Sequence, residues 1–147
     1  MKSNLFSQNT VLWADDDLDD LFIMRAILER AELDHHIVEA YNGQDIMRYL
    51  DALKSKADFP CLIILDMNMP VLDGRQTIHN IREIEKYNSI PIVVFTTSRS
   101  EKDKLFCQSY GVEMFTKPSE LEQLERVVVH MLGLCNTVPQ PAIKKAF

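Results

Sequence analysis

The sequence predicts an α/β fold in which helices cover both faces of a parallel sheet. Short apolar runs alternate with longer stretches of helical spacing, and this pairing repeats five times along the chain. The run at residues 61–65 is apolar at every position, which is typical of a strand buried on both faces. Alternating strands and helices with strands of this kind indicate a parallel sheet between two helical layers.

The predicted strands end where polar residues begin. They lie at residues 11–14, 37–40, 61–65, 90–95 and 112–116. Helical spacing predicts a helix after each strand, and the first three helices lie at residues 18–31, 43–53 and 75–85. Ser98 or Ser100 begins the fourth helix, which runs to about residue 110. Ser119 with Glu122 is a capping-box signature for the fifth, and Gly133 suits its C-terminal cap.

Apolar residues of the first and last helices recur at helical intervals, so we expect them to face the sheet. They are Leu18, Leu21, Phe22, Ile27 and Leu28 in the first helix, and Leu121, Leu124, Val128, Met131 and Leu132 in the last. Asp17 is predicted to cap the first helix. Asp19 and Asp20 are interpreted as favourable charges in its first turn.

Length and composition indicate one domain. The chain has 147 residues, of which 46% are apolar, enough to bury a core. The formal net charge is −6 and no Lys/Arg cluster occurs before the last few residues, which disfavours direct binding to nucleic acid. No signal peptide is visible, and no apolar run approaches the roughly 20 residues that span a membrane.

The cysteines are Cys61, Cys107 and Cys135. Their number is odd and none belongs to a C-x-x-C pair, which favours a reducing compartment. We therefore expect neither a disulfide nor a structural zinc site, and we expect the protein in the cytoplasm.

Chemistry-bearing side chains follow four of the predicted strands. Asp15 and Asp16 follow the first strand, Asp66 the third, Thr96 ends the fourth and Lys117 follows the fifth. In an open parallel sheet, ligands bind at the carboxyl ends of the strands. We therefore expect these five side chains to converge on one site.

Three carboxylates gathered at one edge repel each other unless a cation joins them. Their hard oxygen ligands suit Mg²⁺ or Mn²⁺. A carboxylate in that setting can act as a nucleophile and form an acyl phosphate. Thr96 would donate a hydrogen bond to a phosphoryl oxygen and Lys117 would pair with it as a point charge. The pattern predicts a phosphate acceptor with its own counter-ion.

Four motifs together resemble the receiver domains of two-component response regulators. They are VLWADDD at residues 11–17, LDMNMPVLDG at 65–74, PIVVFTTS at 91–98 and TKP at 116–118. Each is weak alone, but all four occur in order and at the ends of predicted strands. The resemblance covers about residues 10–132.

The resemblance implies a flavodoxin-like, doubly wound sheet with strand order 2-1-3-4-5. It implies that Asp66 is the phosphoacceptor and that Asp15 and Asp16 hold Mg²⁺ (or Mn²⁺) with Asp66. The backbone carbonyl of Asn68 would complete the metal ligands, and Thr96 would be the switch hydroxyl.

The resemblance also implies that Lys117 contacts the phosphoryl group and that the Lys117–Pro118 bond is cis. One departure from the family concerns the usual aromatic switch residue, three positions before the lysine. Met114 occupies that position and Phe115 follows it. Either the aromatic coupling is lost or Phe115 has taken it over.

The partners implied are a histidine kinase or phosphotransfer protein as donor and a downstream protein of unknown identity. Homodimers occur in the family. Residues 1–135 would form the receiver domain and residues 136–147 a flexible tail with no output domain, as in single-domain chemotaxis-type members. The Thr96-Thr97-Ser98 ending and the extra residues before Pro60 are similar to receivers that partner bacterial phytochrome kinases.

Three alternative functions are open. An aspartyl-phosphate phosphatase needs an acid two residues after its nucleophile, where this chain has Asn68. A receiver-like adaptor that is never phosphorylated would not need the acids, Thr96 and Lys117 together. A flavin carrier needs a phosphate-binding loop after the first strand, where the acids would repel phosphate. We therefore expect no enzyme beyond the chain's own phosphorylation and dephosphorylation.

Other polar residues are interpreted as structural. Asp73 beside Gly74 is typical of turn chemistry. Thr97 and Ser98 are interpreted as capping groups, although Ser98 could tune hydrolysis of an acyl phosphate.

Overall fold

The strands of the computed structural model, which describes residues 9–136, form one sheet. They are β1 (Thr10–Ala14), β2 (His36–Ala40), β3 (Leu62–Leu65), β4 (Ile92–Thr96) and β5 (Glu113–Thr116). All pairs are parallel and the order is β2-β1-β3-β4-β5. The order implied by the resemblance is therefore confirmed. It places a topological switch point between β1 and β3, where such sheets bind ligands.

In the described part of the chain, residues 9–136, five α-helices connect or follow the strands. They are α1 (Leu18–Arg30), α2 (Gly43–Asp51), α3 (Gly74–Glu83), α4 (Glu101–Ser109) and α5 (Leu121–Gly133). Short 3-10 helices lie at Lys56–Asp58, Glu85–Tyr87 and Leu134–Asn136. None of the helices within residues 9–136 is both long and apolar enough to cross a membrane. The flexible tail expected at residues 136–147 lies almost wholly outside the described residues.

The sheet buries one hydrophobic core on each face, because successive strand side chains point in opposite directions. The first core joins Leu12 and Ala14 of β1 to side chains of α2, α3 and α4. The second joins Val11 and Trp13 of β1 to side chains of α1 and α5. All four strand residues are at most 2% exposed. The two helical layers predicted from the sequence are confirmed.

Two predicted caps are confirmed and one is wrong. Asp17 caps α1 by accepting from the N–H groups of Asp19 and Asp20. Ser100 caps α4 by accepting from the N–H of Asp103. The N-cap of α5 is Glu120 rather than Ser119, and no side chain caps that helix.

Asp73, interpreted from the sequence as a turn residue, is the N-cap of α3. Its carboxylate accepts from the N–H of Gln76 and the Gln76 side chain accepts from the N–H of Asp73, which makes a capping box for α3. Gly133 ends α5 and Leu134 is the cap, so the C-terminal boundary falls one residue later than expected.

Three residues expected to face the sheet are exposed: Leu18 by 64%, Phe22 by 65% and Leu121 by 53%. The prediction is wrong for α1 because its inward face runs through Leu21, Met24, Ile27 and Leu28. Leu18 and Phe22 lie outside that stripe, on the solvent side of the helix.

Two backbone and covalent expectations are wrong. Residues 9–136 contain no cis peptide bond, so Lys117–Pro118 is trans, which is the lower-energy form. Cys61 and Cys135 form a disulfide, with Cα atoms 5.1 Å apart. The 3-10 helix that follows α5 lies beside the residue that precedes β3, and a spacing of 74 residues gave no sign of that proximity. Cys107 is free and buried.

Candidate functional site

The pairing of β1 with β3 places Asp15 beside Asp66. Ala14 is opposite Leu65 in this parallel pair, so each strand delivers its aspartate to the same edge. The N–H of Asp66 donates to the carbonyl of Ala14 at 3.2 Å, which holds the start of the loop after β3 against the end of β1. Asp15 is 1% exposed and Asp66 is 8% exposed. Two buried carboxylates therefore lie next to each other, an arrangement that is costly without a cation.

Asp15, Asp16 and Asp66 form an acid cluster, in which each offers an oxygen within 4.8 Å of the others. Asp15 and Asp66 are buried and Asp16 is exposed, so the cluster opens to solvent on one side. Three carboxylate oxygens at this spacing fit a hard divalent cation that keeps several waters, such as Mg²⁺ or Mn²⁺. The structure thus brings together the three acids predicted from the sequence.

The loop after β3 folds back over Asp66. The N–H of Asn68 donates to Oδ1 of Asp66 at 3.4 Å. The N–H of Gly74 donates to the carbonyl of Met67 at 2.9 Å. A Cβ at Gly74 would come within 2.6 Å of the Asp66 carbonyl oxygen, so only glycine allows this approach of α3 to the loop. Asn68, the predicted source of a carbonyl ligand, thus lies in the loop beside Asp66.

Lys117 supplies the positive charge at this edge. Its Nζ donates to Oδ2 of Asp15 at 2.7 Å, to Oδ2 of Asp20 at 2.8 Å and to Oδ2 of Asp66 at 3.1 Å. The N–H of Lys117 donates to the carbonyl of Thr96 at 2.8 Å, which fixes the backbone after β5 against β4. The Lys117 side chain is 9% exposed.

Burial and hydrogen bonding oppose each other in setting the pKa values of this group. Burial alone lowers the pKa of Lys117, but the hydrogen bonds to Asp15 and Asp20 and the charge of Asp66 raise it above its ordinary value. The pKa of Asp15 is raised, mainly by burial and against the effect of Lys117. Lys117 is therefore a permanent cation at neutral pH.

Asp20 belongs to the site, and its interpretation as a first-turn charge alone is wrong. It lies in α1 and lines a small cavity of about 40 Å³ with Met24, Ile27 and Lys117. Met24 and Ile27 stand four and seven positions after Asp20, a spacing that puts all three on one helix face. Met24 and Ile27 are buried. The spacing of Asp20 from these two apolar residues was the available sequence signal that Asp20 points inward.

Thr96 is fully buried at the end of β4. Its Oγ1 accepts from the N–H of Ser98 at 3.2 Å. The Ser98 hydroxyl donates to Oδ2 of Asp103 at 2.7 Å, and Nε of Arg75 donates to Oδ1 of the same carboxylate at 3.0 Å. We call Arg75, Ser98 and Asp103 the Asp103 network. Ser98, interpreted from the sequence as a cap, instead links the loop after Thr96 to α4 and α3.

Met114 and Phe115 lie on opposite faces of the sheet. Met114 packs against the first core, on the face of the sheet that α2, α3 and α4 cover. Phe115 packs against the second core, where its ring meets His130 at a centroid distance of 5.6 Å. Met114 occupies the position where the family usually has an aromatic switch residue. Because strand side chains alternate, Phe115 lies on the opposite face of the sheet and does not replace that residue.

The sequence is similar to known signalling proteins. The family described as response regulator receiver domain matches residues 11–129. Response regulator Rcp1 of Synechocystis sp. is 29% identical over 121 residues, which cover 80% of this chain and 82% of Rcp1. The probable methanogenesis regulatory protein FilR2 of Methanothrix harundinacea is 31% identical over 120 residues, which cover 80% of this chain and 77% of FilR2.

Solved structures share the fold. A phosphorylated cyanobacterial phytochrome response regulator, RcpA, superposes with a TM-score of 0.73 at 29% identity, covering 83% of this chain and 89% of RcpA. The Mn²⁺-bound form of Rcp1 gives a TM-score of 0.76 at 28% identity, covering 88% of this chain and 96% of that structure.

Proposed function

Because this chain belongs to the family of response regulator receiver domains, we propose that it is a phosphorylation switch with Asp66 as the phosphoacceptor. The donor proposed is a phosphohistidine on a histidine kinase or phosphotransfer protein in the cytoplasm. The family is one of signalling domains, so the proposed chemistry is limited to the chain's own phosphorylation and dephosphorylation. A single observation carries the proposal: Lys117 bridges two carboxylates of the acid cluster at the carboxyl edge of the sheet.

Asp66 is suited to be the nucleophile. It belongs to the acid cluster, it is 8% exposed, and the loop after it holds Oδ1 through the N–H of Asn68. In the proposed reaction, a carboxylate oxygen of Asp66 attacks phosphorus, the bond from phosphorus to the donor nitrogen breaks, and the donor histidine keeps the electron pair. The product is an acyl phosphate, which water later hydrolyses.

Asp15, Asp16, Asp66 and the carbonyl of Asn68 are proposed to hold Mg²⁺ or Mn²⁺. A bound divalent cation would offset the negative charge that phosphoryl oxygens bring to the carboxylates. The spacing of the acid cluster supports this assignment, as does the hard oxygen character of its ligands.

Lys117 and Thr96 are proposed to bind the phosphoryl oxygens. The Lys117 ammonium already contacts Oδ2 of Asp66, the atom beside which a new phosphoryl group would sit. Thr96 Oγ1 accepts from Ser98 and retains its own hydrogen for a phosphoryl oxygen. A shift of Thr96 would pass through Ser98 to α4, which offers a route to a downstream protein partner.

The test is intact mass after incubation with acetyl phosphate and Mg²⁺. The expected product is one phosphoryl adduct that requires Mg²⁺ and disappears in Asp66→Asn. Asp73→Asn is the matched control, because Asp73 caps α3 outside the acid cluster and its variant should still be labelled.

Absence of an adduct on the folded wild-type protein would overturn the proposal if beryllofluoride with Mg²⁺ also left its amide spectrum unchanged. That result would favour a receiver-like adaptor that works without phosphorylation. An adduct that persists in Asp66→Asn would place the modification elsewhere and overturn the assignment of Asp66.

A further inference from the structure

All three N–H groups of the Lys117 ammonium are accounted for by hydrogen bonds. An ammonium carries three N–H donors, and Nζ of Lys117 makes three hydrogen bonds, to Asp15, Asp20 and Asp66. The lysine side chain is 9% exposed, whereas that of Asp20 is 35% exposed. The ammonium therefore lies between the buried carboxylates of Asp15 and Asp66 and the rim of the site, with Asp20 on the rim.

Asp20 differs from the other two partners of Lys117. Asp15 and Asp66 follow strands and belong to the acid cluster. Asp20 lies in the first turn of α1, and its N–H donates to Oδ1 of Asp17, the cap of that helix. The capped turn fixes the backbone from which the Asp20 carboxylate reaches Lys117. Asp20 is thus a partner of Lys117 that is not needed by a cation in the acid cluster.

We propose that Asp20 is a positioning residue that holds Lys117 at the rim and leaves Asp15 and Asp66 available to a divalent cation. The role rests on the phosphorylation proposed for Asp66. When the acid cluster takes up a cation and Asp66 takes up a phosphoryl group, Lys117 has to give up its bonds to Asp15 and Asp66. Asp20 keeps one of the three N–H groups, and the other two turn to phosphoryl oxygens.

Removing the Asp20 carboxylate leaves Lys117 with only the two acids that a cation needs. Lys117 then competes more strongly with Mg²⁺ for Asp15 and Asp66. A partly exposed ion pair of this kind changes an equilibrium by roughly two- to fivefold. We therefore expect Asp20→Asn to raise the dissociation constant for Mg²⁺ by roughly two- to fivefold.

The experiment compares Asp20→Asn with Asp19→Asn. Both variants remove one negative charge from the first turn of α1, but Asp19 is exposed. Calorimetric titration of the unphosphorylated protein with Mg²⁺ gives the dissociation constant without any reaction. Asp19→Asn should stay near the wild-type value, because loss of charge alone is screened at the surface.

Phosphorylation by acetyl phosphate gives a second readout. Asp20→Asn should need more Mg²⁺ for half-maximal labelling, while its rate at saturating Mg²⁺ should change less. Asp20→Glu keeps the carboxylate and should fall between wild type and Asp20→Asn. Should Asp20→Asn fail to fold, Asp20→Ala is the second variant, since alanine has the highest helix propensity.

Equal Mg²⁺ affinities for Asp20→Asn and Asp19→Asn, in proteins that are still labelled on Asp66, would overturn the role of Asp20 and leave the proposed function intact. A folded wild-type protein that binds Mg²⁺ but is not labelled would overturn the proposed function, and the role of Asp20 with it.

Discussion

Ser98 donates its hydroxyl hydrogen to Oδ2 of Asp103 at 2.7 Å, across the loop between β4 and α4. The other oxygen of Asp103 accepts from Arg75 in α3, and the Arg75 guanidinium lies 5.4 Å from the centre of the Phe106 ring. Asp103 is 7% exposed. One buried carboxylate therefore joins the loop after Thr96 to two helices.

Asp103→Asn should lower the free energy of unfolding by about 1–3 kcal/mol, because it weakens a charged hydrogen bond and leaves Arg75 without its anion. Urea unfolding measures this loss, and hydrogen exchange should show faster amide exchange at the start of α4. Glu39→Gln is the control, since it breaks the solvent-screened Arg25–Glu39 pair and should cost less. Equal losses for the two variants would contradict a special role for Asp103.

Tyr87 should make stability fall at alkaline pH. Its ring is 1% exposed and its hydroxyl donates to Oδ1 of Asp51 at 2.7 Å. Burial, followed by the hydrogen bond to Asp51, raises the pKa of Tyr87 to about 12. An unfolded tyrosine ionises near pH 10, so the unfolded state is favoured progressively as pH rises from 10 to 12.

The loss attributable to Tyr87 should be on the order of 2–3 kcal/mol by pH 12. Tyr87→Phe should cost about 1 kcal/mol at pH 7, because it deletes the hydrogen bond to Asp51. The difference between the two proteins in urea unfolding should then shrink and reverse above pH 10. A difference that stays constant from pH 7 to pH 12 would contradict the prediction.

Gly74→Ala should destabilise the fold and slow labelling of Asp66. The new Cβ would lie 2.6 Å from the carbonyl oxygen of Asp66 and 2.7 Å from Cα of Met67, so backbone must move. Overpacking of this kind costs about 1–3 kcal/mol. Thermal unfolding measures the cost.

Gly133→Ala is the matched control for Gly74→Ala. A Cβ at Gly133 meets nothing within 4 Å, and Gly133 is the last residue of α5. Helix propensity then predicts a gain of up to about 1 kcal/mol. If both variants unfold at the wild-type temperature, the close approach of α3 to Asp66 does not constrain the loop.

Thiol counting should distinguish the three cysteines. Unfolded in urea without reductant, the chain should show one free thiol, that of Cys107, because Cys61 and Cys135 are paired. After reduction it should show all three. In the folded protein Cys107 should react slowly, since burial raises the pKa of its thiol to about 11. Three thiols without reductant would contradict the disulfide.

Reduction should also lower stability. The disulfide joins residues 74 positions apart, and loop-closure entropy predicts a contribution of about 4 kcal/mol for such a loop. The double variant Cys61→Ser, Cys135→Ser should match the reduced wild-type protein in urea unfolding. A reductant that destabilises this double variant equally would assign the effect to something other than the disulfide.

The strand-end side chains could be predicted because they depend on local pattern and topology alone. Asp15 and Asp66 each end an apolar run, and parallel strands deliver their carboxyl ends to one edge. Strand order and strand ends are enough to place the acid cluster and Lys117 at one edge of the sheet, without any side-chain contact.

Contacts that depend on helix orientation were harder to predict. An acid in the first turn of a helix has the same local pattern whether it faces solvent, as Asp19 does, or a lysine, as Asp20 does. Only the phase of the buried face, set by Met24 and Ile27, separates the two. The disulfide was missed for a related reason, since only the completed fold brings Cys135 to Cys61.

The Cys61–Cys135 bond closes residues 61–135 into a covalent ring, and the described residues 9–60 form an arm that precedes the ring. Asp66 and Lys117 lie in the ring, while Asp15 and Asp20 lie in the arm that precedes it. The hydrogen bonds from Lys117 to Asp15 and Asp20 therefore fasten the arm to the ring. Local unfolding that separates β1 from β3 would disrupt the site while leaving the disulfide ring closed. The site therefore exists only while β1 is paired with β3.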